Sequence, residues 1–492
     1  MKRISLFVLC LIMVVTSVVS CGSKEKEGKK VKSIKEVVGE ESHIPDDLAF
    51  EGEVFKILCR EDNDYGDYVY EIVADEGDTN NVNQAVYERN RTVMDTFGLA
   101  DIQAVPIAGD YASKDIFINK MRNSIDAGLG EYDLIMSQQG YMNEGELVQY
   151  FYNYYDVPYI SDTLKCTKHD HSYYYDDVKS EITINGKLKY MVGDFSLTYW
   201  EHVYALYFNK QIAEEYNLED IYELVRNGEW TFDKMIEMTT GKWKDLNADD
   251  WSGSEDSFGY LSELLNPVNS MDVHFGVDPT HKDENGNIVI EYDVGKMTNI
   301  LTKVLEFRDS NDTYFADVSS NVTIADNPCD KIFSEGRALF YHAILGKADS
   351  FRSMDTDFGI VPYPKWDGNQ DRYLTRSMDG YSVACVPVDA SNLELTGAVF
   401  DTLSAVSQTT VIPAYYDMAL SYKYTRDDES AEMLDIIRDG FRVNFGKFYS
   451  IDCGKALRDT VYYKNPSFSS FYQSNLPGYQ IKLDELLKYY ED

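Results

Sequence analysis

The chain has 492 residues, with 84 acidic against 46 basic side chains and a net charge of −38. A surface this acidic repels phosphate backbones, so nucleic acid is not an expected partner, while neutral solutes and cations stay open. Of seven cysteines, Cys59, Cys166, Cys329, Cys385 and Cys453 lie beyond residue 21; their number is odd, their spacing wide and no CxxC occurs, which argues against a disulfide framework or a zinc site.

Lys2 and Arg3 precede an apolar run from Ile4 to Val19, and Ser20-Cys21-Gly22 follows. The run is short for a membrane span and reads as an export signal over residues 1–20. Val18-Val19-Ser20-Cys21 resembles a bacterial lipobox, which implies that Cys21 carries a lipid and becomes the first mature residue. Residues 21–50 are rich in Lys, Glu, Gly and Ser and read as a flexible tether.

Val54 to Arg60 reads as a buried strand, Asn83 to Phe97 as a helix ended by Gly98, and Asp101 to Ile107 as a second strand. Ser113 to Ala127 follows as a helix and Tyr132 to Met136 as a third strand. Strands and helices that alternate in this way predict an α/β lobe with a mainly parallel sheet, whose ligand-facing loops leave the carboxyl ends of the strands. The middle of the chain reads as more helical, over 209–216, 218–226 and 232–239, with Thr231 as the N-cap of the last. Ile288 to Ile290, Phe358 to Pro362 and Tyr381 to Val386 read as strands, and Leu393 to Ser407 as a helix.

Four phrases in order carry a family resemblance: Tyr207-Phe208-Asn209-Lys210, Gly228-Glu229-Trp230-Thr231-Phe232-Asp233, Phe333-Ser334-Glu335-Gly336-Arg337-Ala338 and Asp357-Phe358-Gly359-Ile360-Val361-Pro362-Tyr363-Pro364-Lys365. With the lipobox they make the chain similar to the family-1 extracellular solute-binding proteins, from Val54 onward. The resemblance implies a two-lobed, periplasmic-binding-protein-like (type II) α/β fold with a ligand cleft between the lobes. It places lobe 1 at 51–198 plus 378–425, and lobe 2 at 199–377 plus 426–492. It further implies a monomer that binds a carbohydrate without a cofactor, closes about a hinge and delivers its ligand to the permease subunits of an ABC importer. The membrane would be touched through the lipid anchor only.

A sugar site needs charged or amide groups for hydroxyl edges and aromatic rings for C–H faces. The positions that match the family pattern are Arg60, Glu61, Gln138, Gln139, Trp200, Glu201, Tyr341, His342, Asp379, Tyr381 and Tyr415. Trp200, Tyr341, Tyr381 and Tyr415 are the candidates for stacking. His342 departs from the small residue and Trp of the commoner phrase. With 39 tyrosines in the chain, an aromatic core competes with each of these assignments.

Asp245, Asn247, Asp249 and Asp256 stand at calcium-loop spacing, although Asp250 occupies the position where a glycine normally turns, and an acidic surface loop is the competing reading. His169-Asp170-His171 reads as a solvent loop rather than a metal site. No HExxH, GxSxG or phosphate-loop phrase occurs, so a binder is expected rather than an enzyme. A secreted glycoside hydrolase and a surface adhesin are the alternatives.

Overall fold

A computed structural model describes residues 32–491 apart from 41, 64–65, 167–172, 251, 319–326, 423–424 and 427. The export signal, Cys21 and His169-Asp170-His171 lie outside the described residues. Among those described, nine strands form the two main sheets. In chain order they are β1 (Val54–Arg60), β2 (Asp101–Ile107), β3 (Leu134–Gln138), β4 (Tyr204–Asn209), β5 (Phe258–Glu263), β6 (Thr313–Ala316), β7 (Ala338–Ile344), β8 (Phe358–Val361) and β9 (Ser382–Cys385).

The first sheet has the order β9-β3-β1-β2; β1 runs parallel to both neighbours and β9 antiparallel to β3. The near-continuous apolar run of β1 fits a strand covered on both faces. One cover is the helix Asn81–Phe97, which Asn80 opens by accepting the Val82 N–H at 2.8 Å and Gly98 closes in the left-handed region, φ 68°. Its Val82, Val86, Val93 and Phe97 enter the core at helical spacing.

The second sheet has the order β8-β4-β7-β5-β6, with β5 parallel to β6 and β7, and β4 antiparallel to β7 and β8. The helical reading of the middle of the chain holds for Lys210–Glu215, Ile221–Arg226 and Phe232–Thr239, the last opened by Thr231, which accepts the Lys234 N–H at 3.3 Å. It overlooked β4, β5, β6 and β7. The molecule is therefore two α/β lobes, and β9 belongs to the first although it follows all the strands of the second.

The chain crosses after the helix Leu197–Glu201, returns along residues 376–381 into β9, and crosses again between the helices Val411–Leu420 and Asp428–Asp439. The first of these two helices packs on Asn81–Phe97 and the second on β8. The C-terminal segment, the helix Phe468–Lys488 and the residues just after it, touches both lobes. Tyr472 donates to the Ile290 carbonyl of lobe 2 at 3.2 Å, and Lys187 of lobe 1 donates to the Tyr490 carbonyl at 3.1 Å. Residues 426–492, expected with lobe 2, thus span the seam. The expected tether also ends early: Ser33 caps the short helix Ile34–Val38, and Ile34 and Ile44 are buried in the core.

Gly397 sits inside the helix Leu393–Thr409, where alanine is ordinarily preferred by about 1 kcal/mol. A Cβ there would lie 2.1 Å from the Pro158 carbonyl oxygen, so the ordinary preference is reversed. Gly397→Ala is expected to destabilise the fold by about 1–3 kcal/mol, read from urea unfolding. A stabilised variant would contradict this packing.

Candidate functional site

The carboxyl ends of β1, β2 and β3 deliver Arg60, the loop with Gly109 and Asp110, and Gln138 to one edge of the first sheet, where an open α/β sheet presents its ligand loops. Residues 379–382 reach the same edge, because β9 begins where β3 ends and pairs Ser382 with Gln138. Arg60 ties the edge together: its Nη2 donates to the Gly380 carbonyl at 2.8 Å and to Ser382 at 3.3 Å, and its guanidinium lies 3.8 Å over the Tyr68 ring. The Gly140 N–H donates to the Asp379 carbonyl at 3.2 Å.

Opposite stand the ends of β5 and β7, with Glu263 and the turn Leu345–Lys347, and the start of β4 at Tyr204. Glu263 accepts from Asn327 Nδ2 at 2.6 Å, and burial raises its carboxyl above the usual range. The two crossings close the back of the cleft. On the second, Arg376 is buried, donates to the Asn269 carbonyl at 3.2 Å and pairs with Asp379. On the first, Glu201 and His202 follow the helix Leu197–Glu201, and the Glu201 carbonyl packs against Gly346 of lobe 2.

His202 Nδ1 meets the Thr198 carbonyl at 2.7 Å, and burial pushes its imidazole down to about 4, so it is neutral at pH 7. Glu201 lies in a crevice, reached by water but enclosed by protein. Burial raises its carboxyl to about 7, the Tyr70 hydroxyl pulls it back, and Glu71, Asp67 and Asp349 push it up. Arg60, Glu61, Gln138, Glu201 and Asp379 are therefore brought to the seam, with Glu61, Gln138, Glu201 and Asp379 at least partly accessible.

The stacking assignments need correction. Trp200 has no exposed surface; its indole N–H donates to Tyr175 at 2.9 Å and its ring packs against Tyr415, Tyr416 and Phe441. Tyr341 is buried and donates to Asp330 at 2.8 Å. His342 is buried between Tyr204, His274 and Tyr363. The ring of Tyr381 is buried edge-on against Tyr199, and Tyr415 is fully buried. Gln139 spends its amide on the Phe448 carbonyl at 2.6 Å. These six side chains build the walls behind the cleft rather than its surface.

The calcium-loop geometry also fails. Asp256 is buried and accepts backbone N–H groups from Leu246 and Gly253, while Asp245 accepts those of Ala248 and Asp250. Among the described residues no group of three or more His, Cys, Asp or Glu side chains is placed to hold a metal ion. The acidic run at 245–256 is a turn whose carboxylates satisfy its own backbone.

Tyr68, Asp110, His202, Tyr204, Glu263 and Arg376 were missed from sequence. Asp110 was within reach, because it follows a strand of a parallel sheet as Arg60 and Gln138 do. Tyr68 follows β1 and Glu263 ends β5, a strand the sequence reading overlooked, while His202, Tyr204 and Arg376 reach the seam on or beside the crossings.

No protein-family model matches the chain, and no curated protein matches it. Solved structures share its fold. The chain is similar to the galacto-N-biose-/lacto-N-biose I-binding protein of the ABC transporter from Bifidobacterium longum in complex with lacto-N-biose, at 12% identity and a TM-score of 0.52, over 89% of this chain and 98% of that one. It is similar to the apo-form of RafE from Streptococcus pneumoniae at 12% identity and a TM-score of 0.50, over 89% and 97%. At such identities the likeness establishes the fold.

Proposed function

We propose that the chain is an extracytoplasmic solute-binding lipoprotein of an ABC importer, which captures a carbohydrate between its lobes and delivers it to the membrane permease. The observation that carries this reading is the cleft: the ligand-facing edges of two α/β sheets meet across a seam bridged by several crossings and lined by Glu61, Gln138, Asp379 and Glu201. Such crossings let two lobes rotate about a few backbone torsions, and a ligand that touches both stabilises only the closed arrangement. The fold shared with an ABC-transporter binding protein in complex with lacto-N-biose supports the ligand class. The protein binds its ligand and does not convert it.

Calorimetry of the mature protein against a panel of mono- and oligosaccharides, with product analysis, tests this. The expected result is saturable binding of one sugar class with the sugar recovered intact. Steady release of reducing ends would replace the reading with a glycoside hydrolase.

The anchor belongs to the same proposal. No described helix is long and apolar enough to cross a membrane, and the lipobox-like Val18-Val19-Ser20-Cys21 supplies the attachment. Anchoring confines the protein near its permease and raises its effective concentration there. Cys21→Ala is expected to abolish acylation and move the protein from the membrane fraction to the soluble one. A variant that stays acylated would refute the anchor.

A further inference from the structure

Behind the crossings lies a crevice of about 950 Å³ whose lining includes none of the residues that form the cleft. Lobe 1 supplies Tyr175 and Asp177 to it, and lobe 2 supplies Val225, Gly228, Lys365 and Tyr373. Tyr175 and Phe441, which touch Trp200 in the wall behind the cleft, also line this crevice. A space of this size, walled by both lobes, is large enough for a small organic molecule.

The charges in it sort into committed and uncommitted ones. Arg226 donates to Glu432 at 2.9 Å, Arg372 pairs with Asp177, and Arg438 pairs with the buried Asp194. Lys365 is different. It keeps only 5% of its surface accessible, yet among the described residues its ammonium has no carboxylate partner and no hydrogen-bond acceptor. Its one aromatic neighbour at cation–π range is the Tyr373 ring, 5.4 Å away, and the Tyr373 hydroxyl is spent on the Val225 carbonyl at 3.2 Å. Lysine is almost never this buried unless it is paired, because an ammonium taken from water without a counter-charge is costly.

The approach to that ammonium is kept open by a glycine. Gly228 has φ 70°, and a Cβ there would stand 3.3 Å from Lys365 Nζ, with no other atom within 4 Å. The two residues come from separate phrases of the family resemblance, and the fold joins them: the Lys365 N–H donates to the Trp230 carbonyl at 3.2 Å and the Phe232 N–H to the Lys365 carbonyl at 2.8 Å. Nζ thus lies between Gly228 and Tyr373, both of which line the crevice.

We propose that this crevice is a second ligand site, distinct from the cleft, which takes a small organic monocarboxylate on Lys365. One ammonium calls for one carboxylate, through a charge-assisted hydrogen bond. Asp371 and Asp439 line the same crevice from exposed positions and repel a second negative charge. Val225, Ile436 and Phe441 give an apolar wall for the organic body, which inorganic phosphate lacks.

Ligand-observed NMR titration of the full mature chain with propionate, benzoate, succinate and inorganic phosphate, without sugar, tests this. Propionate or benzoate is expected to bind saturably, and about tenfold or more tighter than succinate or phosphate. Lys365→Met should weaken that binding by about tenfold or more. Asp371→Asn with Asp439→Asn, both at exposed positions, should leave the fold intact and narrow the gap between succinate and propionate, which keeps the site testable should Lys365→Met fail to fold. No saturable binding of either monocarboxylate, equal binding in folded Lys365→Met, or an unchanged gap in the Asp371→Asn, Asp439→Asn variant overturns the proposal.

Discussion

Trp200→Ala is expected to lower folding stability by about 3–5 kcal/mol, the cost of emptying a core site filled by the largest fully buried side chain of the first crossing. The ring fills the space between Tyr416 and Phe441, with centroids at 5.2 and 4.8 Å, and its N–H satisfies the Tyr175 hydroxyl. Alanine leaves both a cavity and a buried hydroxyl that has lost a donor. The contrast with Asp379→Asn identifies the role. Asp379 is half-exposed at the cleft but pairs with the buried Arg376, so its variant should weaken ligand binding and also lower the urea midpoint, by less than Trp200→Ala does because asparagine keeps an acceptor for the guanidinium. Were Trp200→Ala to unfold normally and lose only binding, the indole would be a ligand surface after all.

Lys447→Met is the second large effect. Lys447 and Asp272 are almost fully buried, with Nζ and Oδ1 at 2.5 Å, and the ammonium also donates to the Asn269 carbonyl. Burial pushes this lysine down to about 8, which shows how much water the site has lost. Removing the cation strands the Asp272 carboxylate, whose Oδ2 already has no partner among the described residues. The expected loss is about 3–5 kcal/mol. Lys447→Met combined with Asp272→Leu should recover most of it, since the uncompensated charge is then gone. Unfolding in urea at pH 7 measures both; equal losses in the single and double variants would show that the residues act through packing alone.

What the sequence revealed depended on how local the determinant was. β1 was legible because a strand covered on both faces writes a continuous apolar run, and the helix Asn81–Phe97 because its cap, periodicity and Gly98 all agree. The second sheet was less so. β4 and β7 are buried throughout most of their length and rich in aromatics, so periodicity cannot separate them from buried helix.

The site was legible where a loop follows a strand, as at Arg60 and Gln138. It was not legible where aromatics were concerned, because the difference between a ring that stacks on a ligand and one that stacks on Phe441 is a matter of tertiary burial. Trp200, Tyr341 and Tyr415 carry the right chemistry for stacking, and the structure spends it on the core. The calcium-loop spacing misled for a further reason: carboxylates at that spacing serve equally well to accept the N–H groups of their own turn.

The central claim is capture by closure, and small-angle scattering of the mature chain, with and without a saturating amount of the tightest saccharide found by calorimetry, tests it most directly. The account predicts a smaller radius of gyration and maximum dimension in the bound form, and the loss of that change at the same sugar concentration in Asp379→Asn. A scattering profile unchanged at full saturation would contradict it, because a ligand held between two lobes that do not move is not captured by closure.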